Sequence, residues 1–154
     1  MNAITNRAHH QIRVETPIEH AFEFALQADR LREWNPYFEY FRVAEPLHRA
    51  GTTFDSIIDL LGQSTSCRAT VLDVTPPELL HLRFAAERGT SDWWYRFERA
   101  GGGTLFTIDV EYEREGLFAG VVDRFVYHSG IDRAVRHMVE NFAAMAPVKA
   151  PVPA

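Results

Sequence analysis

"DWWYRFERAGGGTLFTIDVEYE", Asp92 to Glu113, alternates apolar and polar side chains on both sides of three glycines. Before the glycines, Trp93, Tyr95 and Phe97 share one parity and Trp94, Arg96 and Glu98 hold the other. After them, Phe106, Ile108, Val110 and Tyr112 alternate with Thr107, Asp109, Glu111 and Glu113. A sustained period of two is the signature of a strand, and Gly101 to Gly103 read as the turn joining two of them. Successive strand side chains point to opposite faces, so this hairpin has one apolar and one wet face, the habit of antiparallel sheets.

The same period extends towards the N-terminus. "LLHLRFA" sets Leu80, Leu82 and Phe84 against His81 and Arg83, and "SCRATVLDV" ends at Pro76-Pro77. Phe54, Ser56, Ile58 and Leu60 alternate with Asp55, Ile57, Asp59 and Leu61, and "HHQIRVE" (His9 to Glu15) reads as a first strand. After that strand, Pro17 opens "PIEHAFEFALQA" at helical spacing. Thr16 is expected as its N-cap and Glu19 as the reciprocal partner of a capping box. "DRLREW" reads as a second short helix, capped by Asp29 and stopped before Pro36.

Past the hairpin, Gly116 to Pro147 returns to helical spacing. Leu117, Phe118, Val121, Val122 and Phe125 form one stripe. Ile131, Val135, Met138, Val139 and Phe142 form another, with a phase slip or bend expected at Ser129-Gly130. Residues 1–146 are read as one domain and 147–154, "PVKAPVPA" being the Pro-rich end, as a loose tail. The order is strand, two short helices, about six antiparallel strands and one long amphipathic helix. It specifies an α+β fold with the last helix on the apolar face.

Composition narrows the function. The net charge is −5, and the fifteen arginines and one lysine (Lys149) form no cluster suited to phosphates, so no nucleic-acid partner is expected. No apolar run is long enough to span a membrane, and the N-terminus lacks the apolar core of a signal peptide, so a cytoplasmic protein is expected. With its only lysine in the tail, Schiff-base chemistry is not expected. Cys67 stands alone, which excludes an internal disulfide and reads as a small buried hydrophobe.

Seven histidines raise the question of metal. His9 and His10 point to opposite faces, His128 and His137 miss the i, i+4 spacing of helical ligands, and no Cys-His pattern occurs. No metal and no cofactor is expected. Ser129 follows His128 directly on a helix, where adjacent side chains diverge, so the pair is not a nucleophile and its base.

Four segments in order carry a resemblance: "TPIEHAFEFALQADRLREWNPY", Gly51 with Phe54 at the start of a strand, "ATVLDVTPPELL", and "YRFERAGGGTLFTI" leading into the last helix. Together, over roughly residues 8 to 146, they resemble the START-like or Bet v 1-like (SRPBCC) superfamily, within it the polyketide cyclase/dehydrase and lipid-transport group. The resemblance implies a helix-grip fold, in which a curved antiparallel sheet wraps the C-terminal helix around a cavity. In such a fold the two short helices close one end of the sheet, and Trp34 would plug that end.

The inner surface so implied comprises Phe54, Ile58, Leu82, Phe84, Trp93, Tyr95, Phe106, Ile108 and Tyr112 from strands, with Phe118, Val122, Phe125 and Ser129 from the helix. An apolar lining with a few hydroxyls, Ser56 among them, suits a small hydrophobic ligand: a lipid, a polyketide or an aromatic compound. A pocket of about 300 Å³ or more is expected, bounded by Tyr95, Tyr112, Phe125 and Ser129. Two other functions stand beside simple binding. One is a cyclase or dehydratase without metal or covalent nucleophile, for which Tyr95, Tyr112, Asp132 and Arg136 are the candidate catalytic groups. The other is a co-chaperone-like interaction module, which needs an exposed apolar patch around Trp94. Self-association as a homodimer is compatible with all three.

Overall fold

The computed structural model describes residues 5–27, 30–41, 47–60, 63–86, 89–113 and 124–146. Seven strands form one antiparallel sheet: β1 (Thr5–Val14), β2 (Phe38–Phe41), β3 (Thr53–Leu60), β4 (Gln63–Thr75), β5 (Leu79–Ala86), β6 (Gly89–Ala100) and β7 (Gly103–Glu113). Helices α1 (Ile18–Leu26) and α2 (Leu31–Trp34) follow β1, and α3 (Arg124–Met145) comes last. The sheet order is β1-β7-β6-β5-β4-β3-β2, so β1 closes the meander of β2 to β7 by pairing with its last strand. This is the expected helix-grip α+β architecture.

The register fulfils the alternation. Trp93, Tyr95 and Phe97 on β6 are buried, while Trp94 and Arg96 face the other way. Tyr95 pairs with Leu80 on one side and Ile108 on the other, all three fully enclosed. Even-numbered residues of β1 share that inner face: Ala8 is opposite Val110, His10 opposite Ile108 and Val14 opposite Thr104. A slip between Val71 and Asp73 leaves Leu72 exposed and marks a bulge, a device that increases local twist and bend.

The hairpin between β6 and β7 turns on Gly101 and Gly102, whose φ angles of 56° and 84° are ones that side-chain-bearing residues rarely adopt. Arg13 closes it by donating to the carbonyls of Ala100 and Gly101 at 3.1 Å each. Gly103 is constrained by space instead: a Cβ there would lie 2.3 Å from the Val14 carbonyl oxygen.

Two helix starts differ from the sequence reading. The N-cap of α1 is Pro17, with no side-chain cap bond, and Glu19 pairs with Arg99 at 2.7 Å. The capping box does not form, because the β6 arginine competes for that carboxylate. A hydrogen bond to its own backbone, then the Arg99 guanidinium, hold the Glu19 carboxyl below its ordinary value. Helix α2 begins after Arg30 without a side-chain cap, and Asp29 lies outside the described residues.

Helix α3 runs unbroken through Ser129-Gly130, so the expected phase slip is not present. Its buried stripe is Ile131, Ala134, Val135, Met138, Val139 and Phe142. The earlier stripe, Leu117 to Val122, and the tail 147–154 lie outside the described residues, as does the side chain of Phe125. Helix α3 packs chiefly on β1, with α2 against its other flank. No described helix is long and apolar enough to cross a membrane.

Candidate functional site

Between the sheet and α3, the interior is built from rings. Trp34 reaches well past the end of the sheet: it is fully buried, with its ring edge-on to Tyr95 (5.6 Å), Phe106 (6.0 Å) and Phe142 (5.2 Å). Phe142 stacks on Phe106 at 4.0 Å. Towards β3, Phe38 meets Phe84 at 4.9 Å and Trp93 at 5.6 Å, and Phe54 lies edge-on to Phe84 at 6.4 Å. Edge-to-face rings at these separations add to the burial of their area. Pro36 ends α2, and Tyr37 to Phe41 turn back into β2, so the short broken segment after β1 is what delivers Trp34 to the middle of the fold.

Of the sequence-predicted lining, Phe54, Ile58, Leu82, Phe84, Trp93, Tyr95, Phe106, Ile108 and Tyr112 are buried on this inner face. Ser129 is partly buried and off the core stripe of α3. Phe118 and Val122 lie outside the described residues. The Trp93 indole is not a free polar handle, since it donates to the Ser91 hydroxyl at 2.9 Å. Two grooves of about 500 and 530 Å³ occur among the described residues. One lies by Ile18, Leu79 and Arg99 and the other on the outer face by Arg7, Trp94 and Glu111; neither touches Tyr95, Tyr112 or Ser129.

The polar groups inside fall into two sets. The first fastens α3. Tyr112 Oη bonds His128 Nδ1 at 2.5 Å, Tyr37 bonds His137 Nδ1 at 2.7 Å, and His10 Nε2 meets Asp132 at 3.0 Å. Burial raises the Tyr37 phenol above its ordinary value, with Arg133 pulling the other way. Arg136, expected among the inner groups, is half-exposed and its nearest ion partner is Glu140 at 4.0 Å, one turn along the same face.

The second set has no partner among the described residues. Trp34 Nε1, both side-chain amide atoms of Asn35, Ser56 Oγ and Tyr95 Oη are fully enclosed and make no hydrogen bond. Such atoms are rare, because burial strips their hydration without replacement. Burial also pushes the Tyr95 phenol well above its ordinary value, which keeps it protonated and able to donate. The Cys67 thiol is pushed up to about 11 by the same cause and is no nucleophile at neutral pH.

Sequence reasoning overlooked the histidines of the first set as fasteners of α3, weighing them as metal ligands and His128 also as a base for Ser129. The β1 alternation put His9 and His10 on opposite faces, and the register places His10 on the inner one, opposite Ile108. It also held Trp34 to be a plug, whereas its indole N–H is among the enclosed donors. On the outer face, Trp94 stacks on His81 at 4.4 Å and the neighbouring residues form ion pairs: Arg7 with Glu111, Arg96 with Asp109, Arg83 with Asp92. Exposed large hydrophobics among the described residues are Leu72 and Met145, neither beside Trp94, so the apolar patch an interaction module needs is not found there. Among the described residues no three His, Cys, Asp or Glu side chains gather as a metal would require.

A family model for polyketide cyclase / dehydrase and lipid transport matches residues 5–146. No curated protein matches the chain in sequence. Among solved structures, an aromatase/cyclase, ZhuI, from Streptomyces sp. R1128 superposes with a TM-score of 0.74 at 14% identity, covering 92% of this chain and 93% of its own. A START superfamily protein from Mycobacterium smegmatis gives 0.73 at 12% identity, covering 91% and 96%. TTHA0849 from Thermus thermophilus gives 0.74 at 14%, covering 90% and 95%. At such identities the likeness is one of fold.

Proposed function

The chain belongs to the polyketide cyclase/dehydrase and lipid-transport family, and on that footing we propose that it binds a small hydrophobic molecule between the inner face of its sheet and α3. Family and fold point to hydrophobic-ligand binding or cyclase-type activity; our reading is binding without bond-making. The observation that carries it is the second polar set: Trp34, Asn35, Ser56 and Tyr95 present enclosed hydrogen-bonding atoms, without protein partners, amid aromatic rings. Few polar groups set in an apolar lining orient a ligand and confer specificity. The test is native mass spectrometry of the freshly purified protein, followed by titration with the neutral dye N-phenyl-1-naphthylamine. A copurifying adduct, or saturable 1:1 dye binding, is expected. The absence of both would refute the reading.

A second reading, a dehydratase or cyclase, is favoured by one feature. His10 is held by Asp132 at the seam of β1 and α3, an imidazole oriented by a carboxylate and suited to moving protons. In that role it would take a proton from the carbon beside a carbonyl and pass it to the β-hydroxyl, whose C–O bond breaks to release water as the carbon–carbon double bond forms. Turnover of a model β-hydroxyketone to its enone, lost in His10→Gln, would establish it.

A further inference from the structure

Resting on the reading of the interior as a ligand site, we infer that its occupant is an uncharged molecule bearing a hydrogen-bond acceptor oxygen, such as a ketone, and that the carboxylate of the same skeleton is excluded. The enclosed, partnerless atoms are all neutral. Trp34 Nε1 can only donate, so whatever satisfies it must accept. The Tyr95 hydroxyl can donate as well, and its ring packs edge-on to that of Trp34 with centroids 5.6 Å apart, so the two donors belong to neighbouring rings of the interior. A carbonyl oxygen has two lone pairs and can accept from both.

Charge is the discriminating property. The buried polar side chains among the described residues are Thr16, Asn35, Ser56, Ser91, Thr104 and Thr107, and none carries a charge. The basic side chains nearest the seam are otherwise engaged or exposed: His10 meets Asp132, and Arg136, half-exposed, lies towards Glu140. A carboxylate entering this space would give up its hydration and meet no countercharge, a heavier loss than that of a neutral oxygen. A ketone loses less water and regains hydrogen bonds. The apolar rings are indifferent between the two, so the selectivity comes from Trp34, Tyr95 and the lack of a buried cation among the described residues.

The experiment is equilibrium dialysis of the ligand-stripped protein with three probes on one ring system: 2-acetonaphthone, 2-naphthoate and 2-ethylnaphthalene. At pH 7 the ketone should bind at least about tenfold more tightly than the ionised acid. Tyr95→Phe should weaken the ketone by about two- to tenfold, one hydrogen bond's worth, and leave 2-ethylnaphthalene unchanged. As pH falls from 7 to 5, the neutral fraction of an acid with an ordinary carboxyl pKa rises roughly a hundredfold. Apparent naphthoate affinity in the unaltered protein should rise with it, while the ketone, as control for titration of the protein itself, stays flat. This second measurement stands even where Tyr95→Phe misfolds. Naphthoate binding as tightly as the ketone at pH 7, or showing no rise towards pH 5, overturns the inference and leaves the binding function intact. If none of the three binds, 2-ethylnaphthalene included, the binding function itself fails.

Discussion

The same substitution, tyrosine to phenylalanine, should have opposite effects on stability at Tyr95 and Tyr112. Both rings are buried, Tyr95 fully and Tyr112 to within 2%. Each keeps its ring contacts in the variant, so little apolar burial is lost. At Tyr112 the hydroxyl bonds His128 at 2.5 Å, and removing it should cost about 0.5–1.5 kcal/mol, the net worth of an ordinary hydrogen bond. At Tyr95 the hydroxyl is enclosed without a partner, so the folded state carries its desolvation uncompensated, about 1–3 kcal/mol. Deleting it relieves that cost, offset in part by the small void left behind. The net expectation is a gain of about 1 kcal/mol in the ligand-free protein, a rise in Tm of about 2–4 °C for a chain of this size. Urea unfolding should place the two midpoints on opposite sides of the parent with unchanged m-values. A Tyr95→Phe midpoint as low as that of Tyr112→Phe would refute the reasoning, because it would mean that the Tyr95 hydroxyl has a partner.

Phe142→Ala removes the ring stacked on Phe106 and touching Trp34 and Phe24; a loss of about 3–5 kcal/mol is expected in the same urea assay. Gly103→Ala drives a Cβ to 2.3 Å from the Val14 carbonyl, and that backbone can give way only by parting β1 from β7, so about 1–3 kcal/mol should be lost. Gly102→Asn, where nothing lies within 4 Å and asparagine tolerates the positive φ, should cost less than Gly103→Ala. Alkaline stability follows from three groups whose protons are held more tightly in the folded chain: Tyr95, Cys67 and Tyr37, all raised by burial. The unfolded chain releases these protons first, so the stabilisation is whole below about pH 9, the ordinary thiol value. It drains as pH rises towards the folded value of about 11 for Cys67. The slope of urea midpoint against pH should flatten in Cys67→Ala with Tyr95→Phe, and an unchanged slope would sink the assignment.

Strand parity was the most legible part of the sequence, because a period of two leaves no choice once one face is buried: a slip of one residue at Trp93 would have put every inner ring in water. The helices were legible as helices, but their caps were not. Thr16 and Glu19 form a good local motif, yet Arg99 lies eighty residues away and only the fold brings it within 2.7 Å of Glu19. Local propensity lost to a tertiary partner. Arg136 was misplaced for a related reason. Its spacing from Ser129 was helical, but the core phase of α3 is set by Ile131, Val135 and Met138, and Arg136 lies beyond the edge of that stripe.

The interior polar groups were the least legible, since their meaning lies in whether each has a partner, and partnering is a property of three dimensions. Tyr95 and Tyr112 both lie on the inner face of neighbouring strands and are indistinguishable in sequence. The difference is α3. Where the helix carries His128, Tyr112 is fastened; where the helix presents Val135, Met138 and Phe142 to the core, no described side chain accepts from Tyr95 or Trp34. The seam bonds of His10, His128 and His137 thus hold the helix in place, while its apolar middle keeps those donors unspent. A sequence optimised for stability alone would place phenylalanine at 95; under the binding function proposed above, its hydroxyl gives up folding energy for recognition.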